Sequence, residues 1–409
     1  MSVAASPPPA RRMPFGEFIA LLALLLATVA FSIDAMLPLL SQMGAELAPA
    51  SPADAQMVIT VFVGGLGLGT FFAGPLSDRF GRRPVIVVGI ALYMTAACIA
   101  ALANSLPMLL FARFLQGLGA AGPRVVSQAL VRDLYGGRSM ARVMSFAMTI
   151  FVLVPAVAPL LGAQIGGLFG WRAIFWSFLI FGTVSALWLL IRQPETLAPE
   201  ARRPLSIVAL RGALAEVFGH RLVMLYLAAL CFCFAPMFVW LSSVSLIFEQ
   251  TYARGTEFPY WFALVAILSA PASLLNARLV MRLGMRRMVM SALLAQISMA
   301  VLMLFIFSAG LSATVEFPAF IAFMVIQFFC VGLLFGNLNA LALEPMGHVA
   351  GMAASVMGGV SAIAAAIIAT PVARAFDGTP VPLTIGALIC ALTAMGFMLA
   401  ARRLSARDA

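Results

Sequence analysis

The 409-residue chain contains no lysine: its 25 basic residues are all arginine. Charged residues of either sign make up 10% of it, against about 25% in a soluble domain, which excludes an ordinary soluble fold. Histidine is nearly absent. His220 and His348 stand far apart near two connections, and no metal-ligand spacing forms around them. The five cysteines, Cys98, Cys231, Cys233, Cys330 and Cys390, all fall inside apolar stretches. Cys231 and Cys233 point to different sides of a helix and cannot chelate alone, so they read as small apolar fillers. No Gly-x-x-x-x-Gly-Lys-Ser/Thr stretch is present, which argues against ATP as an energy source. No cofactor or metal is expected, and no catalytic constellation supports a membrane enzyme. The net charge of +10 would suit nucleic acid, but the arginines sit in short connections between apolar runs rather than on a soluble face, and that partner is rejected.

What the chain has in abundance is apolar length. It is 63% hydrophobic, with 32 Phe and 24 Met and a mean hydropathy of +1.07. Twelve apolar runs can be drawn: 17–41, 55–75, 84–104, 106–131, 142–167, 171–192, 222–248, 258–281, 286–309, 316–343, 350–374 and 381–401. Each is about the 20 residues that an α-helix needs to cross a ~30 Å hydrocarbon core. The connections on one side, with both termini, hold 20 arginines; those on the other hold Arg172, Arg254 and Arg374. Arginine retained on the cytoplasmic side therefore places both termini in the cytoplasm. The first run is too long for the apolar region of a signal peptide, and no Ala-x-Ala cleavage site ends it. The organisation expected is a disordered tail over 1–14, a six-helix half over 15–192, a cytoplasmic linker over 193–221, a second half over 222–401 and a tail over 402–409. Leu205, Val208, Leu210 and Leu214 in the linker could form a short interfacial helix; a merely solvated linker is the alternative.

Between the second and third runs lies Gly74-Pro75-Leu76-Ser77-Asp78-Arg79-Phe80-Gly81-Arg82-Arg83, read as a charged, glycine-kinked loop closing a tight hairpin. Gly74 and Gly81 permit close approach and non-helical dihedrals. Asp78 can cap a helix or pair with an arginine. Topology alone would explain Arg79, Arg82 and Arg83, but not the spaced glycines with Asp78. The pattern recurs 203 residues later, where Arg282, Gly284 and Arg286 stand for Arg79, Gly81 and Arg83 and Met281 stands for Asp78. Two related halves are implied.

Asp34 is the acid well inside a run. Charges at that depth are costly and face a cavity or a partner; a structural ion pair without a transport role is the plainer alternative. In the fourth run Arg113 and Arg124 project from one face, about 16 Å apart. Asp34 lies seven residues before Ser41 and Arg113 seven after Leu106, which puts them at one depth, where they can pair across a cavity. Burial would favour the neutral acid and a nearby guanidinium the charged one; the two effects compete. Arg124, toward the cytoplasmic end, suits helix packing as well as substrate contact. Met36, Gln116, Gly117, Gln128, Pro155 and Pro159 complete a candidate cavity lining. Pro155 and Pro159 each remove a backbone donor and should bend the fifth run. Gly64, Gly65, Gly67 and Gly69, with Gly358 and Gly359 in the other half, form small-residue faces for helix crossing.

These stretches resemble the major facilitator superfamily, and within it the drug:proton antiporters of the bicyclomycin/chloramphenicol resistance type. The similarity covers nearly the whole chain. The hairpin Gly74–Arg83 matches the superfamily's loop between helices two and three. Arg113-Phe114-Leu115-Gln116-Gly117-Leu118-Gly119 is similar to its helix-four motif, and Asp34-Ala35-Met36-Leu37-Pro38 to an Asp-x-x-x-Pro signature in helix one. Ala158-Pro159-Leu160-Leu161-Gly162-Ala163 stands where Gly-Pro-x-x-Gly-Gly is expected. The resemblance implies an all-α membrane protein with twelve transmembrane helices in two pseudo-symmetric six-helix halves, a monomer in the bacterial cytoplasmic membrane. It implies export of a small-molecule substrate, lipophilic and neutral or cationic, against protons. Asp34 would carry the proton, Arg113 would modulate its affinity, and Gly74–Arg83 would be a gating loop that steadies the outward-open state. A metabolite exporter or importer of the same fold, and a non-transporting sensor, are the rival readings.

Overall fold

The computed structural model describes residues 13–135, 137–202, 207–310 and 312–407. Most of the tail expected over 1–14 lies outside them. Twelve long helical elements follow in chain order. The first six are α1 (Phe15–Asp34), α2 (Met57–Phe80), α3 (Arg82–Ala101), α4 (Leu106–Leu134), α5 (Gly137–Phe169) and α6 (Ala173–Arg192). The second six are α7 (Arg221–Leu246), α8 in two pieces (Phe258–Ser269 and Pro271–Leu283), α9 (Met285–Ser308), α10 (Ala313–Leu343), α11 (Ala350–Arg374) and α12 (Val381–Arg407). Ten helical stretches among the described residues are long and apolar enough to cross a membrane. Of the other two, α4 carries Arg113, Arg124, Arg132 and Asp133, and α5 contributes the apolar Val154–Phe169. In lipid every backbone polar group must be satisfied within the protein, and helices do this segment by segment. Large exposed side chains such as Phe169, Ile180, Ile191 and Met281 fit a lipid-facing surface.

Several boundaries differ from the sequence expectation for local reasons. α1 stops at Asp34, and Leu37–Leu39, containing Pro38, forms a 3₁₀ turn before a short helix, Leu40–Leu47. α8 is interrupted at Ala270, because Pro271 has no N–H to continue the ladder. α12 runs through Arg407, beyond the tail expected from 402; there Arg286 donates to Ser405 Oγ at 2.7 Å. Pro155 and Pro159 lie within α5 without ending it. In the linker, Ile207–Gly219 is helical and packs on α7 and α11.

The expected hairpin loop is a single residue. Helix α2 continues through Phe80 and α3 starts at Arg82, so only Gly81 is non-helical. Its φ of +104° lies where side chains other than glycine's are strained. Gly284, 203 positions on, separates α8 from α9 in the same way with φ +80°.

Glycines also set how closely helices cross. A Cβ on Gly117 of α4 would lie 1.9 Å from Phe62 O of α2, and one on Gly65 of α2 would lie 2.1 Å from Phe114 O. α2 and α4 thus meet backbone to backbone. Gly67 faces α11 instead, near Ala362, Ile363 and Gly359 O, so one helix serves both halves. The apolar core divides unevenly. One cluster joins the first half to the parts of α7–α12 farthest from the chain termini, including Trp240, Phe248, Phe262 and Phe320. A second, around Val223, Leu230, Val289, Leu338 and Met398, belongs to the second half at the terminal end.

Gly117→Ala should push α2 off α4. We expect a melting temperature lower by about 1–4 °C, the scale of a 1–3 kcal/mol overpacking cost in a chain of this length, checked by thermal unfolding of the detergent-purified protein.

Candidate functional site

The break after Asp34 leaves α1 with carbonyls that lack helical donors. Ala35 N–H donates to Phe31 O and Met36 N–H to Ile33 O, so Ser32 O has no partner from its own helix. Arg113 takes it. The guanidinium, fully buried in α4, donates from Nη2 to Ser32 O at 3.0 Å, from Nη1 to Gln116 Oε1 at 2.5 Å and from Nε to Val58 O at 3.3 Å. Its carbon lies 4.2 Å from the centre of the Phe62 ring, an attractive cation–π arrangement. The hydroxyls of Ser32 and Tyr93 of α3 are 2.6 Å apart.

Asp34 is 4% exposed, and no ion pair to it occurs among the described residues. The expected Asp34–Arg113 pair is therefore not formed here. Arg113 does reach α1 within two residues of the acid, but the carbonyls freed by the helix break and the amide of Gln116 supply its acceptors. Gly162 of α5 presses on the same break: a Cβ there would lie 1.8 Å from Ala35 O.

The hairpin assembles a second polar cluster. Arg82 donates from Nη1 to Asp78 Oδ1 at 2.5 Å and Ser77 Oγ at 2.8 Å, and from Nε to Asp133 Oδ2 at 2.9 Å. Thr196 Oγ1 donates to the same Asp133 oxygen at 2.9 Å. The opening N–H groups of α3 are capped from a distance: Arg82 N and Arg83 N donate to the two Glu195 oxygens at 2.9 and 3.0 Å. An anion at a helix N-terminus meets unsatisfied donors and the positive end of the dipole. Glu195 Oε1 also accepts from Thr196 N and Leu197 N. A Cβ on Gly81 would lie 2.5 Å from Glu195 Oε2, so a side chain there would displace the capping carboxylate besides straining the dihedral. Arg83 reaches Leu190 O, while Arg79 is exposed beside Phe80 and stays outside the cluster.

The sequence profile of the Major Facilitator Superfamily matches residues 19–370. The chain belongs to the major facilitator superfamily. It is 30% identical over 396 residues to a bicyclomycin resistance protein homolog of Haemophilus influenzae, covering 95% of this chain and 98% of that one. It is 31% identical over 328 residues to the multidrug resistance protein MdtL of Escherichia coli O157:H7, 80% of each chain. Among solved structures, the xylose transporter XylE of Escherichia coli, in a partially occluded inward-open conformation, superposes with a TM-score of 0.71 over 94% of this chain and 97% of its own at 13% identity, a likeness of fold. This superfamily member is thus a multi-pass membrane protein of a transporter family.

The remaining candidate positions fall in different places in this superfamily member. Met36 is sealed at the α1 break and Gln116 is bound to Arg113. Gly117 serves the α2–α4 crossing. Arg124 is half-buried and Gln128 exposed farther along α4; Pro155 is half-buried and Pro159 buried in α5. Sequence reasoning passed over Tyr93, Ser32 and Glu195, and took Asp133 only as part of a loop that Arg124 could anchor, not as the partner of Arg82. Only Glu195 left a trace: Pro194-Glu195-Thr196 directly follows α6, while the opening of α3 lacks any side-chain cap of its own.

Glu195→Ala leaves the N–H groups of Arg82, Arg83, Thr196 and Leu197 without their acceptor. We expect about 1–3 kcal/mol of local destabilisation and faster amide exchange confined to the start of α3 and residues 195–197, measured by hydrogen–deuterium exchange.

Proposed function

We propose that this superfamily member exports lipophilic neutral or cationic compounds in exchange for protons, by alternating access of two six-helix halves. The reading rests on Asp34: a carboxyl buried at the end of a broken helix, two residues from the carbonyl that holds a buried guanidinium. Such an acid is accommodated when protonated and calls for a cation or water when charged. On losing its proton, Asp34 would draw Arg113 from Ser32 O; on regaining it, Arg113 would return. A cationic substrate would compete for the same carboxylate. The names of the similar proteins, bicyclomycin resistance and multidrug resistance, favour export of foreign compounds.

On this reading both termini lie in the cytoplasm of a bacterium, which the distribution of arginine favours, and the protein acts as a monomer. On that orientation the end away from the termini faces outward, and it is held shut here. Ser41 donates to Glu249, Ser243 Oγ donates to Gln56 Oε1 at 3.2 Å, and Arg374 Nη2 lies 3.2 Å from Met57 Sδ, all between the halves. The shared apolar core lies at that same end. Proton re-entry through the opposite, outward-open arrangement would supply about 2.3 kcal/mol per charge per 100 mV. The cluster of Asp78, Arg82 and Asp133 would steady one state of the cycle. Gly74 supports this role: a Cβ there would meet Ser355 Oγ of α11 at 3.1 Å, so the hairpin end of α2 abuts the other half.

Asp34→Asn should abolish pH-gradient-driven efflux, by at least about ten-fold, while expression and melting temperature stay near the parent's. Transport by inverted vesicles checks this, and undiminished flux would end the proton assignment. Asp78→Ala should slow turnover several-fold with ligand affinity unchanged, read by flux and equilibrium binding in the same preparation.

A further inference from the structure

The three arginines at the end of the bundle away from the termini are not held alike. Arg172 pairs with Glu46 at 2.7 Å and donates to Ala103 O at 3.0 Å. Arg254 lies 3.5 Å from Glu257 and 4.4 Å from the centre of the Phe317 ring. Arg374, in the last turn of α11, has no ion-pair partner among the described residues. Its hydrogen-bonding contact there is Met57 Sδ of α2 at 3.2 Å, a weak acceptor. The next acid along the chain, Asp377, is engaged in its own turn, where Oδ1 accepts from Thr379 N at 2.9 Å and Thr379 Oγ1 at 2.7 Å. Arg374 is exposed, which leaves most of its N–H donors to whatever surrounds the protein.

Depth sets what those surroundings are. α11 spans Ala350–Arg374, 25 residues, or about 37 Å of helix against a ~30 Å hydrocarbon core, so Arg374 stands at headgroup level. Beside it an open groove of about 670 Å³ runs along α11, lined by Ile367, Thr370, Pro371, Arg374 and Ala375. Ile367 is 68% exposed and lies about 10 Å deeper than Arg374 along the helix, in the acyl region. Thr370 Oγ1 donates to Ala366 O at 2.8 Å, which leaves an apolar wall beneath the guanidinium. On α2, which Arg374 touches through Met57, Val61 and Gly64 are half-exposed and Leu68 is exposed. A Cβ on Gly64 would meet nothing within 4 Å. A cation at headgroup level above an apolar groove matches the two parts of a phospholipid, phosphate above and acyl chain below.

We propose that Arg374 and this groove bind one phospholipid at the junction of α2 and α11. The guanidinium donates to the phosphate oxygens, a charge-assisted contact that its planar fork favours. One acyl chain lies against Ile367 and Pro371. Arginine is disfavoured on this side of the membrane. Arg172 and Arg254 are offset by carboxylates of the chain itself, and Arg374 by the phosphate of a lipid. The site goes beyond the efflux reading and depends on neither the direction nor the substrate of transport.

The test is photocrosslinking of the detergent-purified full chain by a phosphatidylglycerol that carries a diazirine in its acyl chain, with adducts mapped by peptide mass spectrometry. Adducts should form on α11 between Ile367 and Pro371. Excess dioleoylphosphatidylglycerol should suppress them about ten-fold. Dioleoylglycerol, which has the same chains and no phosphate, and inorganic phosphate should each leave them within about two-fold. Arg374→Gln should lower the yield there about ten-fold with adducts elsewhere on the chain unchanged, and Arg254→Gln should leave it unaltered. Should Arg374→Gln lose adducts everywhere through misfolding, the competition series on the parent decides. An unchanged yield in Arg374→Gln overturns the site. So does suppression by dioleoylglycerol, which would make the groove merely apolar, or by inorganic phosphate, which would make Arg374 a site for free anions.

Discussion

A guanidinium with no access to water must be given acceptors by the protein around it, and Arg113 imposes that condition on three helices at once, α1, α2 and its own α4. Its acceptors are two backbone carbonyls, Ser32 O and Val58 O, and the amide of Gln116. Ser32 O is available only because α1 breaks after Asp34. Val58 O is within reach because Gly65 and Gly117 let α2 and α4 touch backbone to backbone. Gly162 then allows α5 to rest on the exposed Ala35 carbonyl. The helix break, the glycine contacts and the buried charge are one arrangement, and Asp34 sits beside it with no ion-pair partner among the described residues.

The two halves share a scaffold and differ in chemistry. Gly81 and Gly284 make the same one-residue turn, yet a Cβ on Gly284 would meet nothing within 4 Å where one on Gly81 would strike Glu195. The first hairpin is a locked joint, its helix start capped by a carboxylate from beyond α6. The second has Met281 in place of Asp78 and, at its helix start, the contact of Arg286 with Ser405.

The halves are also joined unequally along their length. Apolar packing runs continuously between them at the end away from the termini, where Ser41–Glu249 and Gln56–Ser243 add polar ties. At the terminal end the second half has a core of its own. A bundle whose two halves share one apolar core at one end, while the second half keeps a separate core at the other, is suited to rocking about the shared end.

The helices were legible in the sequence because hydrocarbon demands long apolar runs with internal hydrogen bonds, and that demand acts on each segment separately. The run drawn at 171–192 became Ala173–Arg192 and that at 286–309 became Met285–Ser308. Asp34 and Arg113 stood out for the same reason, as charges where charges are costly. Their partners did not. Whether Arg113 meets a carboxylate or a carbonyl depends on which acceptors the break at Ala35–Met36 leaves free. Glu195 lies more than a hundred residues from the helix it caps. Apolar length and isolated charge are properties of the chain itself. Which donor meets which acceptor is decided by helices brought together, and only the tertiary structure could decide it.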